Sequence, residues 1–319
     1  MSDKKDNIIK RVGILRGGEG EHYASSLKKG GEIILHIHEN LSDKWKPFDI
    51  LVDKDGIWHL GGVPVLPLQL LYKVDVVWNL SQESFSNILE SYSIPHIGIP
   101  AFSPIFNKSK EMLRKHMKKN FGVTMPRSII LPLYQEDIDG PLDKYVVKKA
   151  KEIHTKFSAP WIVKSFTESF NMGIHLAKTF PELVEAITEG VKNETHAKAG
   201  QASILVEEFI AGKVASVHSV PHFRGEDIYT FPLGNSYGVF SQKEKDKIFA
   251  LAKDLHKHMG VKHYLKSDFI LSPRGKVYLL NFELIPDLKQ DSHFSQVCEL
   301  IGAKPHHVID HILEWASNG

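Results

Sequence analysis

The sequence predicts a mixed α/β and α+β protein of about two or three domains. The chain has 319 residues, which is enough for more than one sizeable core. Near its start, an apolar strand, a glycine-rich turn and a helix pattern follow one another, which is how an α/β domain opens. In its second half, strand patterns joined by short turns indicate antiparallel sheets.

The opening domain is predicted from two buried strands and two helices. Arg11–Leu15 has the pattern of a first strand, and the glycine-rich turn that ends at Glu21 follows it. A helix is predicted from about residue 22 to 29. Val74–Leu80 is predicted to be a second buried strand, and residues 85–92 a short helix.

Strands outnumber helices in the remainder of the chain, and most of these strands are short. The predicted elements are, in order, a basic helix over 108–120 that Gly122 and Pro126 end, a polar stretch without an assigned element over 135–154, strands over 161–164 and 172–177, a helix over 181–192, strands over 203–210, 212–220 and 227–232, a helix over 243–259, a hairpin over 268–280 and a final helix over 306–315.

Composition excludes several classes of function. Lys and Arg number 40 against 38 Asp and Glu, and a net charge of +2 gives no reason to expect nucleic acid or a membrane surface as partner. No apolar run has the shape of a signal peptide or reaches the ~18 residues of a membrane span. Cys298 is the one cysteine, so an internal disulfide is excluded, which fits a reducing compartment. We therefore expect a cytoplasmic protein.

The hairpin with its flanks, from Lys266 to Pro286, carries the strongest chemical signal. Asp268 lies on its first arm, and Asn281 and Glu283 lie on its second. Residues two apart on a strand point to the same side, and a tight hairpin can bring Asp268 opposite them. Three oxygen-bearing side chains that converge in this way suit Mg²⁺. The alternative is an ordinary antiparallel pair with a polar outer face.

Two further strands end in charged residues. Lys164 ends an apolar strand, where its side chain can project into a cleft. Roughly 40 residues later, Glu207 and Glu208 precede apolar residues on a strand whose backbone can present N–H and C=O groups to a base. Each alone is typical of a solvated strand end. A lysine strand, an acidic strand and a carboxylate hairpin in this order are much harder to explain as chance.

The order and spacing of these motifs resemble those of the D-alanine–D-alanine ligases from about Arg11 to Trp315. Lys110 lies twelve residues after Gly98, where that family has its first ATP-contacting lysine, and Lys164 falls on the second. Gly173 has the spacing of the loop that covers the phosphates, nine residues beyond Lys164. Asp268, Asn281 and Glu283 have the family's spacing of metal ligands.

The resemblance implies an ATP-grasp fold with an N-terminal Rossmann-like domain. It implies three domains, over residues 1–107, 108–210 and 211–319, with ATP between the last two. It implies an ADP-forming ligase of peptidoglycan synthesis that uses ATP with Mg²⁺, or with Mn²⁺ in its place, on small amino-acid substrates; a homodimer is left open. The implied site residues are Glu21, Lys266 and Ser292 for catalysis, Lys110, Lys164, Gly173, Glu207, Glu208, Phe209 and Ile210 for the nucleotide, and Asp268, Asn281 and Glu283 for the metal.

The chain also departs from the family pattern. The family has Glu then Asn on the second arm, whereas this chain has Asn281 then Glu283, and Lys266 stands where the family has arginine. Val214 replaces the acid that binds ribose, and Asp287 replaces a glycine beside the acceptor substrate. Two alternatives follow: a ligase for a different acid and amine, or a nucleotide-binding homologue without catalysis.

Overall fold

The computed structural model describes residues 9–19, 23–98, 110–132, 141–165, 174–195, 203–234 and 238–318. The chain divides into two compact units. Unit 1 comprises Met1–Pro104, Lys213–Phe269 and Asn281–Gly319, and unit 2 comprises Ile105–Gly212 and Ile270–Leu280. The division into three domains stays a prediction. Among the described helices, none combines the length and the apolar character that crossing a bilayer requires.

Unit 1 opens with a six-stranded sheet in the order β4-β3-β2-β1-β5-β6. The central strand β1 pairs in parallel with β2 and β5, and β5 pairs in parallel with β6. Parallel strands need crossover connections, and helices α1 and α2 supply two of them. The strands are β1 (Lys10–Gly17), β2 (Trp45–Val52), β3 (Trp58–Leu60), β4 (Val63–Pro64), β5 (Val76–Asn79) and β6 (His96–Ile97), and the helices are α1 (Tyr23–Asn40) and α2 (Glu83–Ser91).

Helix α1 is longer than the sequence predicted. The predicted end lies near residue 29, just before Gly30 and Gly31. In the structure both glycines lie inside the helix, and a Cβ on Gly30 would lie 2.7 Å from Cδ of Arg16. Glycine is therefore used at this position because the side chain of Arg16, which pairs with Asp49, lies directly against the helix backbone.

Unit 2 is built on a four-stranded antiparallel sheet in the order β7-β10-β8-β9. One face packs against helices α4 and α5 through buried residues such as Trp161, Val163, Ile204 and Val206. The alternating residues of β8 and β10 therefore occupy the other face. The elements are α3 (Lys110–His116), β7 (Ser128–Pro132), α4 (Leu142–Lys156), β8 (Trp161–Ser165), β9 (His175–Ala177), α5 (Phe180–Thr195) and β10 (Ser203–Glu208).

Helix α4 lies in the stretch to which the sequence assigned no element. Its composition is polar, but Tyr145, Val146, Ala150 and Ile153 are buried on one side of it. Helix α3 continues into a π-helical turn that ends at Gly122, whose φ of 74° is in the left-handed region. That ending confirms Gly122 as the stop of the basic helix, because glycine accepts this conformation without strain.

A second four-stranded sheet has the order β12-β11-β13-β14, and the tip of its last hairpin is counted with unit 2. Helix α6 packs on one face, where the hydroxyl of Ser219 meets Nδ1 of His256 at 2.7 Å. The other face carries the candidate site. The elements are β11 (Lys213–Pro221), β12 (Ile228–Thr230), α6 (Gln242–His258), β13 (Leu265–Leu271), β14 (Val277–Glu283), α7 (His293–Leu300) and α8 (Pro305–Asn318).

Candidate active site

Three charged side chains meet on the hairpin of β13 and β14. The ammonium nitrogen of Lys266 lies 3.0 Å from Oε1 of Glu283 and 3.6 Å from Oδ2 of Asp268. Two carboxylates from different strands thus converge on one cation. We call these three residues the hairpin cluster.

The hairpin cluster keeps its lysine charged. Burial alone lowers the pKa of Lys266, but the nearby carboxylates of Glu283 and Asp268 outweigh this effect, so the pKa is raised above its ordinary value. Two carboxylates against one ammonium leave the cluster with one surplus negative charge. An additional cation near it is therefore electrostatically favourable.

Ser216 on the neighbouring strand β11 contacts the other oxygen of Asp268. Its hydroxyl donates to Oδ1 of Asp268 at 2.5 Å. An ionised carboxylate only accepts hydrogen bonds, so the direction of this bond is fixed. Asp268 is consequently held through Oδ1 and presents Oδ2 towards Lys266.

Of the three predicted metal ligands on the hairpin, Asp268 and Glu283 lie beside the ammonium of Lys266. Asn281 is exposed on β14, whereas the described ion pairs of Lys266 are with Glu283 and Asp268. Within the described ranges, no group of three His, Cys, Asp or Glu side chains is placed to hold a metal ion. The donor set still fits Mg²⁺, because this ion binds proteins through one or two carboxylates and completes its shell with waters and substrate phosphates. The roles of the three residues stay predictions.

In unit 2, Lys164 and Glu207 form an ion pair on the sheet face opposite the helices. Their nitrogen and oxygen are 2.6 Å apart, and the side chain of Glu207 is 11% exposed. The register places Lys164 beside Leu205 and Glu207 beside Ile162, so all four residues share that face. The structure therefore joins the predicted phosphate-binding lysine to the first residue of the predicted adenine-binding strand.

The rest of the predicted adenine-binding strand has local partners. Both carboxylate oxygens of Glu208 accept bonds from Arg127 at 3.0 Å, and this pairing lowers the pKa of Glu208. The N–H of Glu208 bonds to Arg127, and that of Phe209 bonds to Pro160. The side chain of Glu208 is thus engaged within unit 2, and Ile210 follows the end of β10.

Ser292 stabilises the start of helix α7 in unit 1. It is the N-cap of helix α7: its hydroxyl accepts from the N–H of Ser295 and donates to the backbone oxygen of Asp287 at 2.8 Å. This second bond joins Ser292 to Asp287, and the family resemblance implies that the segment between Pro286 and Ser292 closes over the acceptor substrate. Contact with a substrate stays a prediction.

The remaining predicted residues are described less fully. Glu21 and Gly173 lie outside the described residues, and Lys110 is the first residue of α3.

Sequence reasoning missed four polar residues of the same region, namely Ser216, His218, Tyr264 and His293. His218 is fully buried between the hydroxyl of Tyr264, at 2.6 Å from Nδ1, and Nδ1 of His293, at 2.7 Å from Nε2. Burial, then His293, then Lys266 depress its pKa well below the ordinary value, so it is neutral. Ser216 and His218 are two apart on a strand, and this alternation was the signal available in the sequence.

No family model matches the chain. Among curated proteins, it is 22% identical to the D-alanine–D-alanine ligase of Azobacteroides pseudotrichonymphae genomovar. CFP2, over 96% of this chain and 99% of that protein. The alignment therefore spans both units rather than one shared domain.

Solved structures give the same picture at the level of the fold. VanG D-Ala:D-Ser ligase from Enterococcus faecalis superposes with a TM-score of 0.66 at 16% identity, over 97% of this chain and 99% of that one. The D-alanine–D-alanine ligase of Bacillus anthracis complexed with ATP superposes with a TM-score of 0.62 at 17% identity, over 96% of each chain. The chain has the fold of these ligases, which confirms the predicted ATP-grasp architecture.

Proposed function

We propose that this chain is a member of the D-alanine–D-alanine ligase family of ATP-grasp proteins and acts as an ADP-forming ligase that joins two amino acids for peptidoglycan synthesis. The observation that carries the proposal is the hairpin cluster. Asp268 and Glu283 converge on one cation within a fold shared over its full length with ATP-dependent ligases. D-Alanyl-D-alanine is the proposed product.

The proposed reaction has two steps. An oxygen of the donor carboxylate attacks the γ-phosphorus of ATP, so that an acylphosphate forms and ADP leaves. The amine of the second amino acid then attacks the acyl carbon, loses a proton and expels inorganic phosphate. Both steps move negative charge between oxygens, so catalysis depends on positioned cations and donors.

The protein's own residues would hold the nucleotide and the metal. Lys164 and Lys110 would neutralise phosphate oxygens. On binding ATP, Lys164 would leave its ion pair with Glu207 and contact a phosphate instead. Asp268 and Glu283, with Asn281 beside them, would hold Mg²⁺. A bound Mg²⁺ would neutralise phosphate charge and orient the transferred group.

Other residues would act on the amino acids. Lys266 and the backbone N–H of Asp287 would stabilise the oxyanion that forms when the amine attacks, although lysine lacks the two-pronged geometry of arginine. Glu21 would bind the donor amine, and Ser292 would position the acceptor. Phosphate cover by Gly173 and adenine contacts by the backbone of Glu207–Ile210 complete the proposed set.

The proposed setting is the cytoplasm, where ATP is abundant and the single thiol of Cys298 stays reduced. The proposed partners are small amino acids rather than nucleic acid or a membrane surface. A homodimer is the proposed assembly, and sedimentation equilibrium of the purified chain tests it.

A different acceptor amino acid is the second candidate. Asp287 carries a carboxylate where the family has glycine, and its Oδ1 accepts the N–H of Lys289 within the predicted acceptor segment. One structural neighbour is itself named a D-Ala:D-Ser ligase. A polar acceptor such as D-serine is therefore the first alternative to D-alanine.

The test measures ADP release with ATP and Mg²⁺ while the amino acids are varied. D-Alanine alone, D-alanine with D-serine, the L-enantiomers and a no-amino-acid control form the panel, and mass spectrometry identifies the dipeptide. We expect release that requires D-alanine and stops when Mg²⁺ is chelated. Release with another pair only would replace the substrate. Nucleotide binding without release under any condition would support the homologue without catalysis.

A further inference from the structure

We propose that Ser216 is a positioning residue that holds Asp268 in the orientation required to bind the metal ion. This inference rests on the proposed function, because it takes Asp268 as a metal ligand. Ser216 belongs to strand β11, outside the hairpin that carries the predicted ligands.

The two oxygens of Asp268 have different surroundings. Oδ1 accepts the hydroxyl of Ser216 at 2.5 Å, and Oδ2 is the oxygen nearer to the ammonium of Lys266, at 3.6 Å. The two oxygens are chemically equivalent, so a half-turn of the carboxylate restores the same arrangement, but any smaller rotation about its terminal bond breaks the bond to Ser216. The hydroxyl therefore fixes the plane of the carboxylate and keeps one of its oxygens directed towards the cation.

The position of Ser216 in the sheet supports this assignment. Residues of β11 alternate between faces, and Ser219 points to the face that carries His256 of α6. Ser216 is three residues away and lies on the opposite face, with Asp268. Its hydroxyl is therefore directed to the charged side of the sheet rather than to the apolar core.

Ligands of metal ions are commonly oriented by a hydrogen bond to a second residue, and loss of that partner weakens metal affinity by ~10–100-fold. Because Asp268 is one of only two carboxylates in the hairpin cluster, each orientation that turns Oδ2 away removes about half of the anionic ligand set. We expect the effect of losing Ser216 to be on metal affinity first and on ATP only through the metal.

The experiment titrates the full chain with Mn²⁺, without nucleotide and with ADP, and measures free Mn²⁺ by electron paramagnetic resonance. Ser216→Ala is expected to weaken Mn²⁺ binding by about 10-fold. Ser216→Thr keeps the hydroxyl and is expected to restore wild-type affinity. Ser219→Ala removes a hydroxyl of the same strand that serves the other face, and is expected to leave Mn²⁺ affinity unchanged.

Thermal unfolding of each variant separates positioning from damage to the fold. Mn²⁺ affinity within twofold of wild type in Ser216→Ala, equal weakening in Ser219→Ala, or no Mn²⁺ binding by the wild type with or without ADP would each overturn the proposal. A parallel assay of ADP release distinguishes failure of the positioning role from failure of the proposed ligase activity. If Ser216→Ala alone loses Mn²⁺ affinity but no amino acid supports release by the wild type, the positioning role stands and the proposed ligase activity fails.

Discussion

The two sheets that carry predicted site residues differ in the ratio of ammonium to carboxylate groups. In unit 2, the ammonium of Lys164 pairs with the carboxylate of Glu207, which is largely buried. In unit 1, one ammonium of Lys266 faces two carboxylates, Asp268 and Glu283. One ammonium beside one carboxylate carries no surplus charge, whereas a cluster with a surplus anion attracts a cation. The difference supports the proposal that the hairpin binds a cation and that a phosphate displaces a carboxylate at the lysine strand.

The largest expected effect comes from removing the surplus anion. Glu283→Gln keeps the shape of the side chain but leaves Asp268 as the one carboxylate beside Lys266, so the cluster becomes neutral. We expect ADP release to fall below detection at saturating ATP and Mg²⁺, whereas Asn281→Ala, which removes no charge, only weakens it. Asn281→Glu is expected to be tolerated. Equal activity of wild type and Glu283→Gln would end the argument that the hairpin binds metal.

Breaking the pair of Lys164 and Glu207 is expected to have the next largest effect. Lys164→Met removes the proposed phosphate-binding charge and takes away the ammonium that lies 2.6 Å from the buried carboxylate of Glu207. We expect the KM for ATP to rise by about 10–100-fold and the free energy of unfolding to fall by roughly 1–2 kcal/mol, since Lys164 is partly exposed.

The double variant Lys164→Met with Glu207→Gln tests the reason for that loss. It also removes the negative charge of Glu207, so urea denaturation is expected to show recovered stability while the KM for ATP stays high. A double variant that recovers ATP binding as well would show that Lys164 serves only to neutralise Glu207.

Removing Lys266 is expected to strengthen binding of a ligand, whereas removing Lys164 is expected to weaken it. Its ammonium and a metal ion compete for the same two carboxylates, so Lys266→Met is expected to tighten Mn²⁺ binding without nucleotide by about 10-fold. ADP release is expected to fall in the same variant, because the oxyanion loses its cation. Lys266→Arg keeps the charge and is the control. Weaker Mn²⁺ binding in Lys266→Met would contradict competition between ammonium and metal.

The positions of the strands could be predicted from the sequence better than the side-chain contacts between neighbouring strands. Strand β13 and the hairpin turn followed from apolar alternation around Ser272–Gly275, which is a local pattern. The bond from Ser216 to Asp268 joins residues 52 apart, and no local pattern specifies such a distance. The pairing of Lys266 with Glu283 rather than with Asn281 depends on side-chain direction across two strands, which residue spacing alone leaves open.

The helix predictions were wrong where a residue type that favours helix ends or loops lies inside a helix. Glycine ends many helices, but Gly30 stays inside α1 because Arg16 packs against it. Polar residues favour loops, but α4 needs only four buried side chains to form a stable face on the sheet of unit 2. Tertiary packing decided both cases, and intrinsic propensity was the weaker influence.

The smallest effect on the site is expected from protonation of His256, because this residue contacts Ser219 on the face of the sheet opposite Asp268. His256 is 1% exposed, and burial lowers its pKa from 6.5 to about 4. The unfolded chain therefore binds more protons than the folded one between these values, so stability is complete above pH 6.5 and is lost as the pH falls towards 4. Linkage gives a loss of about 1.4 kcal/mol at pH 5.5 from this residue.

The comparison between the two faces predicts where that pH dependence resides. In His256→Asn, which cannot titrate, urea denaturation at pH 8 and pH 5.5 is expected to show a difference in unfolding free energy smaller than that of wild type by about 1.4 kcal/mol. Mn²⁺ affinity at pH 8 is expected to match wild type, because His256 contacts Ser219 on the face opposite Asp268. If the asparagine variant keeps the full wild-type pH dependence, the acid sensitivity arises outside His256. A change in its Mn²⁺ affinity would show instead that the two faces of the sheet are coupled, and Ser219→Ala would then no longer serve as an independent control for Ser216.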